Sequence, residues 1–138
     1  MKKILSLEEL PPFCKEIHSM LGGSGIVLLQ GTLASGKTSF VQAFTKSIGL
    51  HVRPNSPTFS LMCEYADTLK HYDIYQKGLQ GFIQSGLLEV LAEPKYHFIE
   101  WAEVDFEKML QQLGFDFLVI KITTCGEKRS YEVKKCTN

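Results

Sequence analysis

The sequence predicts an α/β fold in which helices flank a mixed parallel and antiparallel sheet. The chain has 138 residues, close to the size at which single domains are most common, so we expect one domain over residues 1–138. Hydrophobic residues make up 44% of it and aromatic residues 11%, which is enough to cover both faces of a small sheet and excludes a disordered chain. Segments with helical spacing alternate with short strand-like segments, an order typical of α/β proteins.

The amino-terminal part predicts a capped turn, a helix and a buried strand. Residues 6–9 form a capping-box pattern, but Pro11 and Pro12 are tolerated only near the start of a helix. We therefore expect a helix that begins at the prolines and ends at the glycine-rich residues 22–25, with the capping box as a separate turn. The apolar run 26–30 is typical of a strand buried on both faces.

Beyond this strand the pattern predicts an amphipathic helix and then a series of shorter elements. Gly49 is expected to cap the amphipathic helix, and Asp105 is expected to cap the last one. Gly81 and Gly86 interrupt the helical spacing of residues 78–91. In chain order the later predictions are a polar loop (51–57), a hairpin (59–65 and 69–75), a loose helix (78–91), a strand (96–99), a helix ending at 113 and a hairpin (115–124 and 130–135).

Charge is balanced, and arginine is scarce. Fifteen Lys and Arg offset fifteen Asp and Glu, with a pI near 6.9, so the chain lacks the basic field that would hold RNA or DNA by itself. Arg53 and Arg129 are the two arginines. Chemistry that needs several guanidinium groups on phosphates must therefore import them from a partner.

The sequence favours a cytoplasmic protein with no membrane association. The amino terminus has no apolar signal region, and no apolar run approaches the ~20 residues that a membrane span requires. Four cysteines occur without a CxxC spacing. We expect reduced thiols in the cytosol, with a disulfide framework or a zinc site as the alternatives.

Residues 31–38 match the P-loop pattern, Gly-x4-Gly-Lys-Thr, with the expected strand before and helix after it. The glycines allow the backbone amides to face an anion, and the helix N-terminus adds its positive end. Lys37 offers a mobile charge for the β and γ phosphates, and the Thr38 hydroxyl can ligate Mg2+. These residues predict a P-loop NTPase-like domain that binds a nucleotide.

Two carboxylates are candidates for completing the metal site. Glu100 follows the apolar stretch 96–99, so its side chain is expected at the carboxyl end of a strand, where α/β sheets place ligands. Asp73 lies among apolar neighbours, where an unpaired carboxylate is costly. We favour Glu100 as a direct or water-mediated Mg2+ ligand and Asp73 as a supporting ligand or water-orienting group.

Three other features admit two interpretations each. His71 fits a core histidine as well as a functional one, and Trp101 fits packing of the acidic loop or a partner contact. Residues 56–58, Ser-Pro-Thr, fit a plain turn or a nucleotide-responsive loop whose hydroxyl reaches the γ-phosphate or the attacking water.

Four motifs together resemble the bacterial TsaE (YjeE) family: the loop at 31–38, Ser-Pro-Thr-Phe-Ser-Leu at 56–61, His-Tyr-Asp-Ile-Tyr at 71–75 and Ile-Glu-Trp at 99–101. The resemblance implies a small ATPase needed for the threonylcarbamoyladenosine modification of tRNAs that read codons beginning with adenine. It implies partners too: TsaD and TsaB, where TsaD transfers the threonylcarbamoyl group from an adenylate made by TsaC. ATP hydrolysis would drive or reset that complex, and tRNA contact by this chain would be indirect or minor.

The resemblance also assigns site residues. Thr38 and Glu100 take the Mg2+ ligand positions, and Lys37, Asp73, Thr58 and Glu100 are the catalytic candidates. The family contacts nucleotide from an amino-terminal segment and a late basic hairpin, where Glu8 or Glu9 and Lys128 or Arg129 are nearest. The nucleotide-binding candidates are Gly31, Leu33, Ala34, Ser35, Gly36, Lys37, Thr38, Ser39 and Arg129.

The chain departs from the family pattern at three positions. Thr32 replaces an Asp, Ala34 replaces a Gly, and Gln76 replaces an Arg.

The first function hypothesis is a weak, Mg2+-dependent, partner-dependent ATPase, because few arginines are available to stabilise phosphoryl transfer. A small-metabolite kinase and a nucleotide-gated binding module without significant turnover are the alternatives. A GTPase is least favoured, since no Asn-Lys-x-Asp stretch reads guanine.

Overall fold

A computed structural model describes residues 1–32, 35–50 and 61–137. It confirms the α/β fold with helices on both sides of a mixed sheet. The strands are β1 (Lys2–Leu5), β2 (Gly25–Gln30), β3 (Met62–Tyr65), β4 (Leu69–Asp73), β5 (Tyr96–Glu100), β6 (Phe117–Cys125) and β7 (Lys128–Cys136). The helices are α1 (Leu10–Leu21), α2 (Lys37–Ser47), α3 (Gly78–Gln84) and α4 (Val104–Leu113), with 3-10 turns at Leu7–Glu9 and Glu89–Ala92.

The strand order in the sheet is β1-β7-β6-β2-β5-β4-β3. The central strands β6, β2, β5 and β4 run parallel, and the pairs at the two edges are antiparallel. Strand β2 is therefore covered on both faces, as its continuous apolar run predicted. Val27 and Leu29 face the α1–α2 side, whereas Ile26 and Leu28 face the α3–α4 side.

The capping box and the proline-started helix are confirmed. Ser6 and Glu9 form the reciprocal cap around the turn Leu7–Glu9, and α1 begins directly after it. Strand β1 was not predicted from the sequence; it pairs antiparallel with β7 at the far end of the chain. Four residues that start with two lysines carry little strand pattern of their own, and only their long-range partner makes them a strand.

Several predicted boundaries were wrong, including those of the last hairpin, whose strands are Phe117–Cys125 and Lys128–Cys136 rather than 115–124 and 130–135. The α4 cap is Glu103 rather than Asp105, whose Oδ1 instead accepts a 2.8 Å hydrogen bond from the amide of Phe106. Strand β4 ends at Asp73 rather than at residue 75, because Asp73 Oδ1 accepts from the Tyr75 amide at 3.0 Å and turns the chain. The segment 78–91 is not one helix, since Gly86 adopts a φ of 75° and separates α3 from a 3-10 turn.

The sequence also made predictions about membrane spans and about the cysteines. Within the three described ranges, no helix combines the length and hydropathy needed for a membrane crossing. The four cysteines are free, and the described part of the chain holds no group of three or more potential metal-ligating side chains. The extent of the domain, residues 1–138, stays a prediction.

His97 on β5 is expected to make folding stability depend on pH. Its Nε2–H donates to the Glu93 carbonyl at 2.9 Å, and its Nδ1 accepts from the Tyr72 hydroxyl at 2.7 Å. Burial lowers the pKa of His97 below its usual 6.5, although the bond to Glu93 opposes this shift. The unfolded chain therefore binds the proton first, and the stability contributed by neutral His97 is lost as pH falls below about 6.5.

The test is denaturant unfolding between pH 7.5 and 5.5. His97→Gln should flatten the decline in unfolding free energy by about 1.4 kcal/mol for each unit of the pKa difference. The matched control is His18→Gln, which removes an exposed histidine in place of the buried one. Equal slopes for wild type and His97→Gln would contradict the prediction.

Candidate nucleotide site

The phosphate loop lies where the sequence motif requires it, between the end of β2 and the start of α2. Leu33 and Ala34 fall outside the described residues, as do Ser56, Pro57 and Thr58. Gly31 has a φ of 154°, and a β-carbon there would lie 2.5 Å from both the Ile122 carbonyl oxygen and Ser35 Oγ. The loop thus passes so close to β6 that only glycine fits at its entrance.

Replacing Gly31 by alanine is expected to lower the free energy of unfolding by about 1–3 kcal/mol, because its clash is with backbone that cannot rotate away. Gly126→Ala is the matched control, since Gly126 also has a positive φ but open space around it. Denaturant melts of the two variants separate the clash from the backbone strain. A loss at Gly31 no larger than that at Gly126 would contradict the close approach.

Lys37 folds back onto its own loop. It is 4% exposed, and its Nζ donates to the carbonyl oxygens of Gly31 at 2.9 Å and Thr32 at 2.8 Å. Burial lowers the pKa of Lys37, and the carboxylates of Glu100, Asp73 and Glu103 oppose that shift. An anion that replaces these carbonyls would bring the buried ammonium a full negative charge, so the site favours phosphate.

Thr38 and Glu100 meet across the site. Thr38 Oγ1 donates to Glu100 Oε2 at 2.9 Å, and the same oxygen lies 2.5 Å from His71 Nε2. Glu100 is 3% exposed and Thr38 is half-buried, so a hydroxyl and a carboxylate oxygen meet at a largely buried location. Both are hard oxygen donors of the kind Mg2+ takes, and the residues present therefore fit that ion.

His71 is a buried histidine that is hydrogen-bonded to Glu100. Its Nε2–H donates to the Glu100 carboxylate, and Nδ1 is a buried nitrogen without a hydrogen-bond partner in the described part of the chain. In the register of the parallel strands, His71 pairs with Phe98, and Asp73 pairs with Glu100 two residues on. Strands β4 and β5 thus bring His71, Asp73 and Glu100 to one face, at the carboxyl ends predicted for the carboxylates.

Trp101 links this acidic edge to the loop lysine. Its backbone has a left-handed φ of 70°, and its amide donates to the Leu29 carbonyl of β2 at 3.1 Å. The ring centroid lies 3.8 Å from Lys37 Nζ and 4.5 Å from the centroid of Tyr75. Trp101 therefore packs the loop after β5, as expected, and also makes a cation–π contact that the sequence alone did not indicate.

The β6–β7 hairpin brings Arg129 to the phosphate loop. Its guanidinium Nη1 would lie 2.3 Å from a β-carbon on Gly36, so the side chain covers the backbone at the start of α2. Lys128 and Glu9, two other candidates, form an ion pair with each other at 3.4 Å. Ser35 is buried with its Oγ 3.4 Å from Lys37 Nζ, and Ser39 is half-buried on α2.

A polar contact of Gln30 at the entrance of the loop was not predicted from the sequence. Gln30, the last residue of β2, donates to Glu107 of α4 at 2.7 Å, and Lys134 of β7 donates to the other oxygen of Glu107 at 2.7 Å. This network ties the residue before Gly31 to two neighbouring elements. A polar Gln at the end of an otherwise apolar run was the available signal.

Comparison with known proteins gives one consistent result. The sequence model of the family "Threonylcarbamoyl adenosine biosynthesis protein TsaE" matches residues 4–131. Relatives named tRNA threonylcarbamoyladenosine biosynthesis protein TsaE include one from Aquifex aeolicus, 36% identical over 72% of this chain and 74% of the relative. Another, from Bacillus subtilis, is 30% identical over 76% of this chain and 68% of the relative. A third, from Treponema pallidum, is 37% identical over 63% of this chain and 67% of the relative.

The fold also has a solved counterpart. The crystal structure of YdiB from Bacillus subtilis superposes with a TM-score of 0.70 over 100% of this chain and 86% of that one. Their sequences are 23% identical, so this likeness concerns the fold.

Proposed function

The chain belongs to the TsaE family of threonylcarbamoyladenosine biosynthesis proteins, and from that premise we propose that it is the ATP-binding and ATP-hydrolysing subunit of the complex that modifies tRNA. A role in threonylcarbamoyladenosine modification of tRNA follows from the family, which is P-loop ATPase-like. The use of ATP and Mg2+, the roles of individual residues and the dependence on TsaD and TsaB are the finer parts of the proposal. For a protein of tRNA modification we propose a cytoplasmic location.

The contact of Thr38 Oγ1 with Glu100 Oε2, 2.9 Å apart, carries the proposal. Burying a carboxylate costs free energy, and a glycine-rich turn without a ligand does not require it. The burial of Glu100 against Thr38, the residue after the loop lysine, therefore favours a binding site over a plain turn. Thr38 and Glu100 would hold Mg2+, and the ion would neutralise charge that develops on the β and γ phosphates. No kinase acceptor is implied by the family or by these contacts.

The other candidates take supporting roles. Lys37 would exchange its bonds to loop carbonyls for phosphate oxygens, and Arg129 lies beside the backbone that would hold them. His71 fixes the Glu100 carboxylate through Nε2–H. Asp73, or the hydroxyl of Thr58, would orient the attacking water.

The charge of the chain supports the proposed partner dependence. The chain has two arginines and no net charge, so it offers little to stabilise the transition state and little to grip tRNA. We propose TsaD and TsaB as the partners that provide both. Turnover by the isolated chain should accordingly be slow.

The experiment measures Mg2+-dependent ADP release with and without purified TsaD and TsaB. We expect the subunits to raise the rate at least tenfold and to copurify with the chain only when ATP is present. Fast hydrolysis that ignores the subunits would overturn the partner dependence. Retained complex function in a Glu100→Ala variant that still binds ATP would instead favour the nucleotide-gated module.

A further inference from the structure

An open groove of about 500 Å³ lies beside the nucleotide site, between α3 and the start of α4. We call it the Trp101 groove and define it by Tyr75, Leu79, Trp101, Glu103, Val104 and Asp105. Trp101 is the wall it shares with the site, because the same ring contacts Lys37 Nζ at 3.8 Å. Whatever enters the groove therefore arrives next to the phosphate-binding lysine.

The groove leaves apolar surface in water. Tyr75 is 55% exposed and Val104 is 59% exposed, and both lie on the groove together with Leu79 and Trp101. A contiguous aromatic and aliphatic surface with a polar border is typical of a site where another protein binds. The occupant therefore presents apolar side chains.

The border of the groove is acidic. Glu103 and Asp105 are exposed carboxylates, and neither forms an ion pair within the described ranges of the chain. Among the described residues, none that lines the groove is basic, and the stem of Lys77 packs on Gly81 of α3. The Glu103 carboxylate acts on Lys37 through space, and the two carboxylates together repel an RNA backbone and attract a further cation.

The chemistry of this surface favours a guanidinium as the cation it binds. Arg129 lies against Gly36 and is not part of the groove, and the chain has one other arginine, Arg53, outside the described residues. A planar guanidinium stacks on aromatic rings and pairs with phosphate oxygens, whereas a lysine does only the latter well. The Trp101 and Tyr75 rings, 4.5 Å apart between centroids, offer such a stacking surface at the edge of the phosphate site.

We propose that the Trp101 groove receives an apolar segment of a transferase subunit, and that this segment carries an arginine whose guanidinium passes the acidic border and reaches the phosphates. This inference rests on the proposed function and deepens it, because it assigns partner-dependent hydrolysis to one surface and one side chain type. An arginine supplied in trans to a P-loop raises hydrolysis by adding positive charge where the transition state is negative.

Photo-crosslinking tests the location and the chemistry together. A benzoylphenylalanine in place of Val104 is irradiated in the complex with TsaD, TsaB, tRNA and ATP, and the crosslinked partner is identified by mass spectrometry. We expect a subunit segment that contains arginine beside apolar residues. The matched control is the same substitution at Leu113, which is 53% exposed at the other end of α4 and should not crosslink to that segment. Crosslinks to tRNA, to a second copy, to a segment without arginine or to nothing would overturn the inference.

The second test measures how strongly the subunits stimulate ATP hydrolysis by variants of the groove. Val104→Ser removes apolar surface, and Asp105→Asn removes border charge but keeps the oxygen that accepts from the Phe106 amide. Combined, they should weaken the apparent affinity for the subunits about tenfold and leave ATP binding by the isolated chain unchanged. The control pair, Leu113→Ser with Glu132→Gln on β7, should behave as wild type.

The outcomes separate the two proposals. Stimulation of the groove variants to the wild-type level, at wild-type subunit concentrations, overturns the groove inference alone. A wild-type chain that neither binds the subunits nor responds to them overturns the proposed partner dependence and the groove with it.

Discussion

Lys37→Ala is expected to lower ATP hydrolysis in the presence of TsaD and TsaB by about 10²–10³-fold. The reason is that Lys37 is the cation that the proposed function assigns to the phosphates, since it is buried among carbonyl oxygens that a phosphate would replace. ATP affinity should fall as well, because removing the ammonium takes away attraction in both the ground state and the transition state. Steady-state ADP release and a direct ATP titration measure the two effects.

The control for Lys37 lies on the same helix. Lys46 is exposed in the last turn of α2, and Lys46→Ala should keep wild-type binding and turnover. Folding of Lys37→Ala is checked by thermal unfolding, where we expect a smaller change than for Gly31→Ala. Wild-type hydrolysis by a folded Lys37→Ala protein would refute the assignment of the loop as the phosphate site.

Glu100→Gln is expected to lower the hydrolysis rate by about 10²-fold and to raise the Mg2+ concentration needed for half-maximal rate. The amide oxygen of Gln can still accept from Thr38 and from His71, so the hydrogen bonds of the buried carboxylate survive while its charge does not. The loss therefore reports the charge rather than the shape of the side chain. ATP binding measured without Mg2+ should change little.

Two comparisons make this result specific. Glu127→Gln, in the β6–β7 turn, removes a carboxylate elsewhere and should leave the Mg2+ dependence unchanged. His71→Gln keeps a donor toward Glu100 and should retain more activity than His71→Ala, if His71 acts by positioning the carboxylate. A Mg2+ dependence in Glu100→Gln equal to that of wild type would refute the role of Glu100 at the metal.

The fold was predictable where local pattern and burial agree. The apolar run of β2, the proline-marked start of α1 and the hairpin turn at residues 66–68 each carry their own signal, and each occurs as predicted. Strand β1 could not be predicted, because its stability comes from β7, more than a hundred residues away in the chain. The α4 cap was misplaced by two residues, since Asp and Glu near a helix start look alike in sequence.

The site divides in a similar way. The P-loop motif predicted the positions of Lys37 and Thr38, and the apolar strand pattern before Glu100 predicted that Glu100 lies at the carboxyl end of a strand. The contact of His71 with Glu100 and the stacking of Trp101 on Lys37 had no signal in spacing, because they depend on the register of β4 against β5 and on a left-handed turn at Trp101. Arg129 was a candidate by rough alignment, and only the hairpin geometry puts its guanidinium on Gly36.

The sequence alone therefore determined the phosphate loop, the family and the scarcity of arginine, because these depend on residue types at fixed local spacing and on composition. The tertiary structure decided which side chains meet: the shared oxygen of Glu100, the carbonyl bonds of Lys37 and the Trp101 groove with its acidic border. Those contacts join residues from different strands and helices, and their distances are set by sheet register and packing, which no short stretch of sequence encodes.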